Sequence, residues 1–200
     1  MNYLAHAYLS FNDPGILLGN LTSDFIKGKK KFDYPAEIQK GIALHRMIDS
    51  FTDEHEATRQ AKEVFRPVYR LYSGAFVDVV YDHFLATDEN EFNELSLFAF
   101  SQQVYDMIDL QHQWLPEKFA RMFYYMKLQN WLYNYRTIAG TEQSFGGLVR
   151  RAAYISESEN ANQLFEQHYQ LLHQCYRHFW AELKPFVIKQ YELLKKMDNS

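Results

Sequence analysis

Apolar positions along the chain recur mostly at helical spacing, and turn residues divide them into segments. Residues 2–11 read as a short apolar helix. Asp13-Pro14 is a helix-start signal, an acidic cap followed by proline in the first turn. The helix it opens runs through GILLGNLTSDFIK and stops at Gly28. The basic stretch KGKKKFDYP follows as an exposed loop, and Pro35 opens a helix that contains GIALHRMIDSFTD, residues 41–53. That helix bends or breaks near Ser50–Asp53 and resumes to about Phe65, where Arg66-Pro67 sets a boundary. Ser73-Gly74 precedes the helix AFVDVVYDHFLA. Asn90 caps a helix over 91–113 and Pro116 opens another over 117–138. TIAGTEQSFGG breaks the pattern. A helix to about Ile155 and an amphipathic one over 160–196 complete the chain. About eight helices and almost no strand signal predict an all-α fold, as one compact helical domain over residues 1–200.

Two of these helices carry ionisable groups where the pattern asks for core. At about 100° per residue, positions i, i+4 and i+7 share a face. His45, Asp49 and Thr52 therefore project together, with Ile38 and Ile42 on the same side. Asp78 and Asp82 share a face of AFVDVVYDHFLA, a helix apolar nearly all round and so expected to be central. An isolated buried carboxylate costs several kcal/mol or takes up a proton, and two on one face repel. A divalent cation answers both difficulties. His83, about 100° further round, could reach the same centre or orient a neighbour. His6 lies inside NYLAHAYL, and Asp24 inside GNLTSDFI, where Gly19 lets another backbone or a ligand come close. All these groups are nitrogen or oxygen donors, a set that suits Mn²⁺, Mg²⁺, Fe²⁺ or Zn²⁺ in a hydrolytic site. The structural alternatives are an ordinary i,i+4 pair for His45–Asp49, an arginine-linked pair for Asp78–Asp82 and a core histidine at position 6. His168, His173 and His178, spaced by five, share no face.

Composition sharpens this picture. The chain has 200 residues, 47% of them hydrophobic, with 16 Phe and 15 Tyr against 8 Gly and 5 Pro. Many aromatics and few breakers favour packed helices over a many-turned β fold. A net charge of −4 argues against general nucleic-acid binding, which needs a positive field. The single Cys175 excludes an intrachain disulfide framework and fits a reducing compartment. No apolar run approaches the roughly 18–20 residues of a membrane span. The start, MNYLAHAYLSFNDPG, lacks the basic region of a secretion signal. A cytoplasmic protein without nucleic-acid or membrane partners is expected.

The blocks N-x-L-A-H (Asn2 to His6), G-N-x-x-x-D-F (Gly19 to Phe25), G-x-x-x-H-R-x-I-D-x-x-T-D (Gly41 to Asp53) and D-V-x-x-D-H-F-L (Asp78 to Leu85) stand in that order. Together they resemble the bacterial acyl carrier protein phosphodiesterase family. The likeness continues more loosely through N-W-L-x-x-Y-R (Asn130 to Arg136), Gly147, Arg151 and H-F-W (His178 to Trp180). It implies an all-helical chain similar to the His-Asp metal-dependent phosphohydrolases. The implied reaction hydrolyses the phosphodiester joining 4′-phosphopantetheine to a serine of acyl carrier protein, with Mn²⁺ as the expected metal. The motif match makes His6, Asp24, His45, Asp82 and His83 metal-site residues, and Asp49 and Asp78 ligands or partners of ligands.

Chemistry at such a site needs a carboxylate to orient water, for which Asp24 and Asp49 are candidates. Arg46 could hold a non-bridging phosphate oxygen; its alternative is a surface ion pair. Carrier proteins are acidic, so Lys27, Lys29, Lys30 and Lys31 near Asp24, or Arg150 and Arg151, offer docking charge. Two rival readings share many of these residues. One is a His-Asp phosphohydrolase acting on a small nucleotide or phosphomonoester; the other is a helical binding protein whose His/Asp pairs are structural. A di-iron bundle wants two Glu-x-x-His motifs, and the sequence has none; Asp109 and His112 are the nearest approach.

Overall fold

The computed structural model describes residues 1–196, and among them there are eleven α-helices and no strand. The helices are α1 (Tyr3–Tyr8), α2 (Pro14–Thr22), α3 (Ala36–Glu54), α4 (Glu56–Tyr69), α5 (Ser73–Thr87) and α6 (Glu94–Asp109). They continue as α7 (Glu117–Leu128), α8 (Trp131–Asn134), α9 (Ile138–Arg151), α10 (Glu159–Gln167) and α11 (Tyr169–Lys196). The protein is therefore all-α, as the hydrophobic spacing predicts. Among the described residues no helix is long and apolar enough to cross a membrane.

Helix α5 is central. Phe76, Val77, Val79, Val80 and Leu85 are fully buried, as befits a helix apolar on every side. The aromatic residues are mostly core. Phe65, Phe76, Phe145 and Phe165 are buried and meet through stacked, tilted and edge contacts that join α4, α5, α9 and α10. At the other end, Lys184 and Trp180 of α11 bond Glu91, which also accepts from Tyr8 of α1 at 2.5 Å. That network ties the last helix to the first.

The feature that positions the site is the crossing of α2 and α3. A Cβ at Gly19 would lie 2.0 Å from the Ile38 carbonyl oxygen, and one at Gly41 would lie 2.2 Å from that of Ile16. The backbones touch there, with no room for any side chain. The close approach expected at Gly19 is thus made by another helix. Asp13 caps α2 by accepting from the Ile16 amide at 3.1 Å, with Pro14 in the first turn.

Several boundaries differ from the sequence reading, each for a local reason. The break near Ser50–Asp53 falls slightly later, at His55, whose ring accepts from the Ala57 amide and caps α4. Pro67 sits inside α4 rather than ending it. Asn93, not Asn90, caps α6, in a reciprocal capping box with Ser96. The segment 117–138 is interrupted at Asn130, whose φ is 48°. TIAGTEQSFGG is helical, not a break. Thr137 caps α9 through the Gly140 amide, and Gly140 is a packing glycine whose Cβ would lie 2.0 Å from the Asn134 carbonyl oxygen. Helix α9 ends at Arg151, short of Ile155.

Gly19→Ala is expected to force α2 and α3 apart. Overpacking of backbone on backbone should cost about 1–3 kcal/mol or more, read as a lower urea midpoint. An unchanged midpoint would show that the two helices can separate freely.

Candidate metal centre

The α2–α3 contact brings Asn20 against His45. Asn20 is a buried carboxamide on an apolar helix, and it holds two imidazoles at once. Its side-chain Nδ2 donates to the His6 carbonyl at 2.9 Å and to Ser10 Oγ at 3.0 Å. Its Oδ1 is thereby turned towards His6 Nδ1 at 2.7 Å. Its backbone carbonyl lies 2.7 Å from His45 Nδ1. Both contacts are to oxygen acceptors, so both Nδ1 atoms carry a proton and both Nε2 atoms are left facing the cluster. Holding the far nitrogen of a histidine is how a protein aims the near one at a metal.

The two rings stack with centroids 4.2 Å apart and planes 20° from parallel. Both Nε2 atoms converge on Asp49. His6 Nε2 lies 3.3 Å from Asp49 Oδ1 and His45 Nε2 lies 3.0 Å from Oδ2. Donor atoms of His6, His45 and Asp49 all fall within 4.8 Å of one another. Asp24 adds a second carboxylate 3.3 Å from His45 Nε2, with a side chain 80% exposed. It stands at the mouth of the cluster, in a 3-10 turn that continues α2 over Ser23–Phe25.

Electrostatics show what the cluster lacks. Burial, then the neighbouring His45, lower the pKa of His6 to about 4, so its ring is neutral. Burial also works against His45, but bonds to Asp24 and Asp49 prevail and raise it to about 9. Asp49 is held well below the usual carboxylate range: burial would raise it, and the two histidines overcome that. A proton on His45 thus balances the carboxylates. His6 Nε2 remains buried with no hydrogen-bond partner. A buried, orphaned lone pair beside a carboxylate and a second imidazole fits a divalent cation of the Mn²⁺, Fe²⁺ or Zn²⁺ kind.

The other residues singled out by the sequence are engaged elsewhere. Asp82 is fully buried and accepts the Leu4 amide at 2.7 Å and the Ala5 amide at 3.1 Å. It caps the N-terminus of α1, the helix that carries His6. Burial raises Asp82 to about 7, against the pull of those two amides. Asp78 accepts from the Met1 α-ammonium group at 3.0 Å, and Asp49 lies 4.0 Å from the same nitrogen. His83 donates from Nδ1 to the Tyr135 carbonyl at 2.8 Å and receives the Tyr169 hydroxyl at Nε2 at 3.0 Å. Arg46 is exposed and lines a shallow groove with Lys31, Gln39, Met47 and Ser50, a different strip of α3 from His45 and Asp49. The structure thus brings together His6, Asp24, His45 and Asp49, and not Asp78, Asp82, His83 or Arg46. Asn20 was absent from the sequence candidates. Its one local signal is a carboxamide among Leu17, Leu18 and Leu21.

The chain is similar to known proteins along nearly its whole length. A family model described as acyl carrier protein phosphodiesterase matches residues 1–183. The acyl carrier protein phosphodiesterase of Photorhabdus laumondii is 34% identical over 170 residues, which span 84% of this chain and 86% of that one. Those of Klebsiella pneumoniae and Yersinia pestis are each 31% identical, over 92% of this chain and 95% of theirs. No solved structure matches the chain.

Two predictions follow from the geometry. In chelated protein, the raised His45 pKa means that its stabilising contribution is full below about pH 6.5 and is lost as pH rises through about 9. Urea midpoints of wild type should fall over that window, and His45→Gln should flatten the slope; parallel curves would remove the His45 charge from the balance. In addition, Asn20→Ala and Asp82→Asn should each destabilise the chelated protein by about 1–3 kcal/mol, because each strands buried polar partners. Asn20→Ala should also weaken Mn²⁺ binding by about 10–100-fold, as loss of a histidine's supporting acceptor does. A chelated Asp82→Asn protein as stable as wild type would rule out the capping role.

Proposed function

The chain belongs to the acyl carrier protein phosphodiesterase family, and from that premise we propose that it hydrolyses holo-acyl carrier protein. Water adds across the bond between phosphorus and the carrier serine oxygen. The products are 4′-phosphopantetheine and apo-carrier protein, with the serine oxygen regaining its proton. The observation that carries this reading is the convergence of His6 Nε2, His45 Nε2 and the Asp49 carboxylate within 4.8 Å.

His6, His45 and Asp49 are the groups proposed to hold a divalent cation, with Mn²⁺ first among Mn²⁺, Mg²⁺, Fe²⁺ and Zn²⁺. When bound, such a cation polarises a phosphoryl oxygen and lowers the pKa of water. Asn20 fixes both rings so that their Nε2 atoms stay aimed at one point. The hydrogen bond from His45, opposed by partial burial, keeps the Asp24 pKa low, so Asp24 is a carboxylate at neutral pH. Exposed at the mouth, it can accept an O–H of the attacking water and orient it. Asp78, matched to the Met1 ammonium group, and Asp82, matched to the α1 amides, support the cluster from behind.

An acidic protein substrate needs local positive charge on a chain whose net charge is −4. Lys29, Lys30 and Lys31 supply it in an exposed 3-10 helix over Gly28–Asp33, a few residues beyond Asp24. Arg46 lies beside Lys31 in the same groove and extends that basic surface.

Holo-acyl carrier protein incubated with the enzyme and Mn²⁺ should lose the phosphopantetheine mass in an intact-mass spectrum. Chelation should stop the loss, and Asp49→Asn should slow it by about 10²-fold or more, since the cation supplies the nucleophile. Unchanged carrier mass with Mn²⁺, Mg²⁺, Fe²⁺ and Zn²⁺ in turn would refute the assignment.

A further inference from the structure

A cavity of about 760 Å³ adjoins the His/Asp cluster without containing it. Asn2 and Tyr3 form its inner end, and α8 and α9 form its walls. The His6 amide bonds the Asn2 carbonyl at 3.2 Å, so the cavity ends one helical turn below the first imidazole of the cluster. Tyr3 links the two places electrically as well. Its phenol, raised to about 12 mainly by burial, is pulled down by Arg151 of the cavity and pushed up by Asp24 of the cluster.

We propose that this cavity is the seat of the pantetheine arm, so that phosphate at the cluster and arm in the cavity are bound together. The inference rests on the phosphodiesterase reading above. The arm carries two secondary amides, a hydroxyl, a gem-dimethyl carbon and a terminal thiol. Its amides need donors and acceptors side by side, which the carboxamides of Asn2, Asn134 and Gln143 provide. Its methyl groups need apolar surface, which Trp131 and Tyr3 provide. Gly146 and Gly147 leave the wall bare. A Cβ on either would meet the Arg150 guanidinium at 3.5 and 3.6 Å, ordinary contact with the end of a flexible side chain. Neither glycine is required by packing, unlike Gly140 in the same helix. Two adjacent glycines cost a helix stability, and here they widen the cavity.

Gly147→Leu separates a role in binding from a role in folding. It raises helix propensity, so the variant should melt at or above wild type, while its side chain narrows the cavity. Calorimetric titration of free 4′-phosphopantetheine, and of pantetheine without the phosphate, into Mn²⁺-loaded protein should show both binding to wild type. The variant should lose about tenfold or more for each ligand, the scale set by a misplaced methylene in a fitted pocket. KM for holo-carrier protein should rise by a similar factor. Should Gly147→Leu not fold, Gly147→Ala carries the same comparison with a smaller loss, about threefold. If wild type cleaves holo-carrier protein but the variant binds both ligands as wild type does, the cavity is not the arm site and the phosphodiesterase reading stands. Absence of pantetheine binding to a cleaving wild type overturns it equally. A wild type that leaves holo-carrier protein intact refutes the reading itself, and the arm site with it.

Discussion

Everything at the candidate site depends on the contact between two glycines. Gly19 and Gly41 let α2 and α3 meet backbone to backbone, which places the Asn20 carbonyl within hydrogen-bond reach of the His45 ring. The residue beside one glycine thereby serves the helix of the other. With any side chain at the crossing, Asn20 would still hold His6 but would withdraw from His45. The two Nε2 atoms would then no longer share a target. The candidate metal centre is in this sense a consequence of helix packing, with the imidazoles aimed by a single asparagine on the intervening helix.

The second constraint is charge. Ionisable groups lie in and beside the core, and Asp49, Asp78 and Asp82 are each balanced by a different kind of partner. Asp82 takes the two amides of a helix N-terminus, Asp78 takes an ammonium group, and Asp49 takes the His45 imidazole, with the neutral His6 ring beside it. These partners are not interchangeable. Amides and an ammonium group are permanent donors. The imidazoles can give up a proton and turn a lone pair to a cation instead. That difference makes Asp49 the carboxylate of the candidate site, while Asp82 holds the helix that carries His6.

Helix α1 joins these parts. Asp82 fixes its first turn, Asn20 bonds the carbonyl of its His6, and its start forms the end wall of the large cavity. A helix of six residues is marginal alone. Here two of its free N-terminal amides are satisfied by a buried carboxylate, which holds its first turn in place.

Hydrophobic spacing alone determined the helical class, the central place of α5 and the shared face of His45 and Asp49, because a helix repeats within a few residues and needs no distant partner. It also marked Gly19 as a point of close approach. What only the tertiary structure decided is which partner each buried charge receives. Asp78 and Asp82 look alike in AFVDVVYDHFLA, yet one meets the Met1 ammonium group and the other the amides of Leu4 and Ala5, some 77 and 78 positions away. His83 looked like a neighbour of the same centre, but its ring turns about 100° from Asp82 towards Tyr135 and Tyr169. Asn20 gave little local sign of its role, since a carboxamide acquires one only from what stands opposite. Periodicity is a local property and says which residues go inside; hydrogen bonds between distant helices say what they do there.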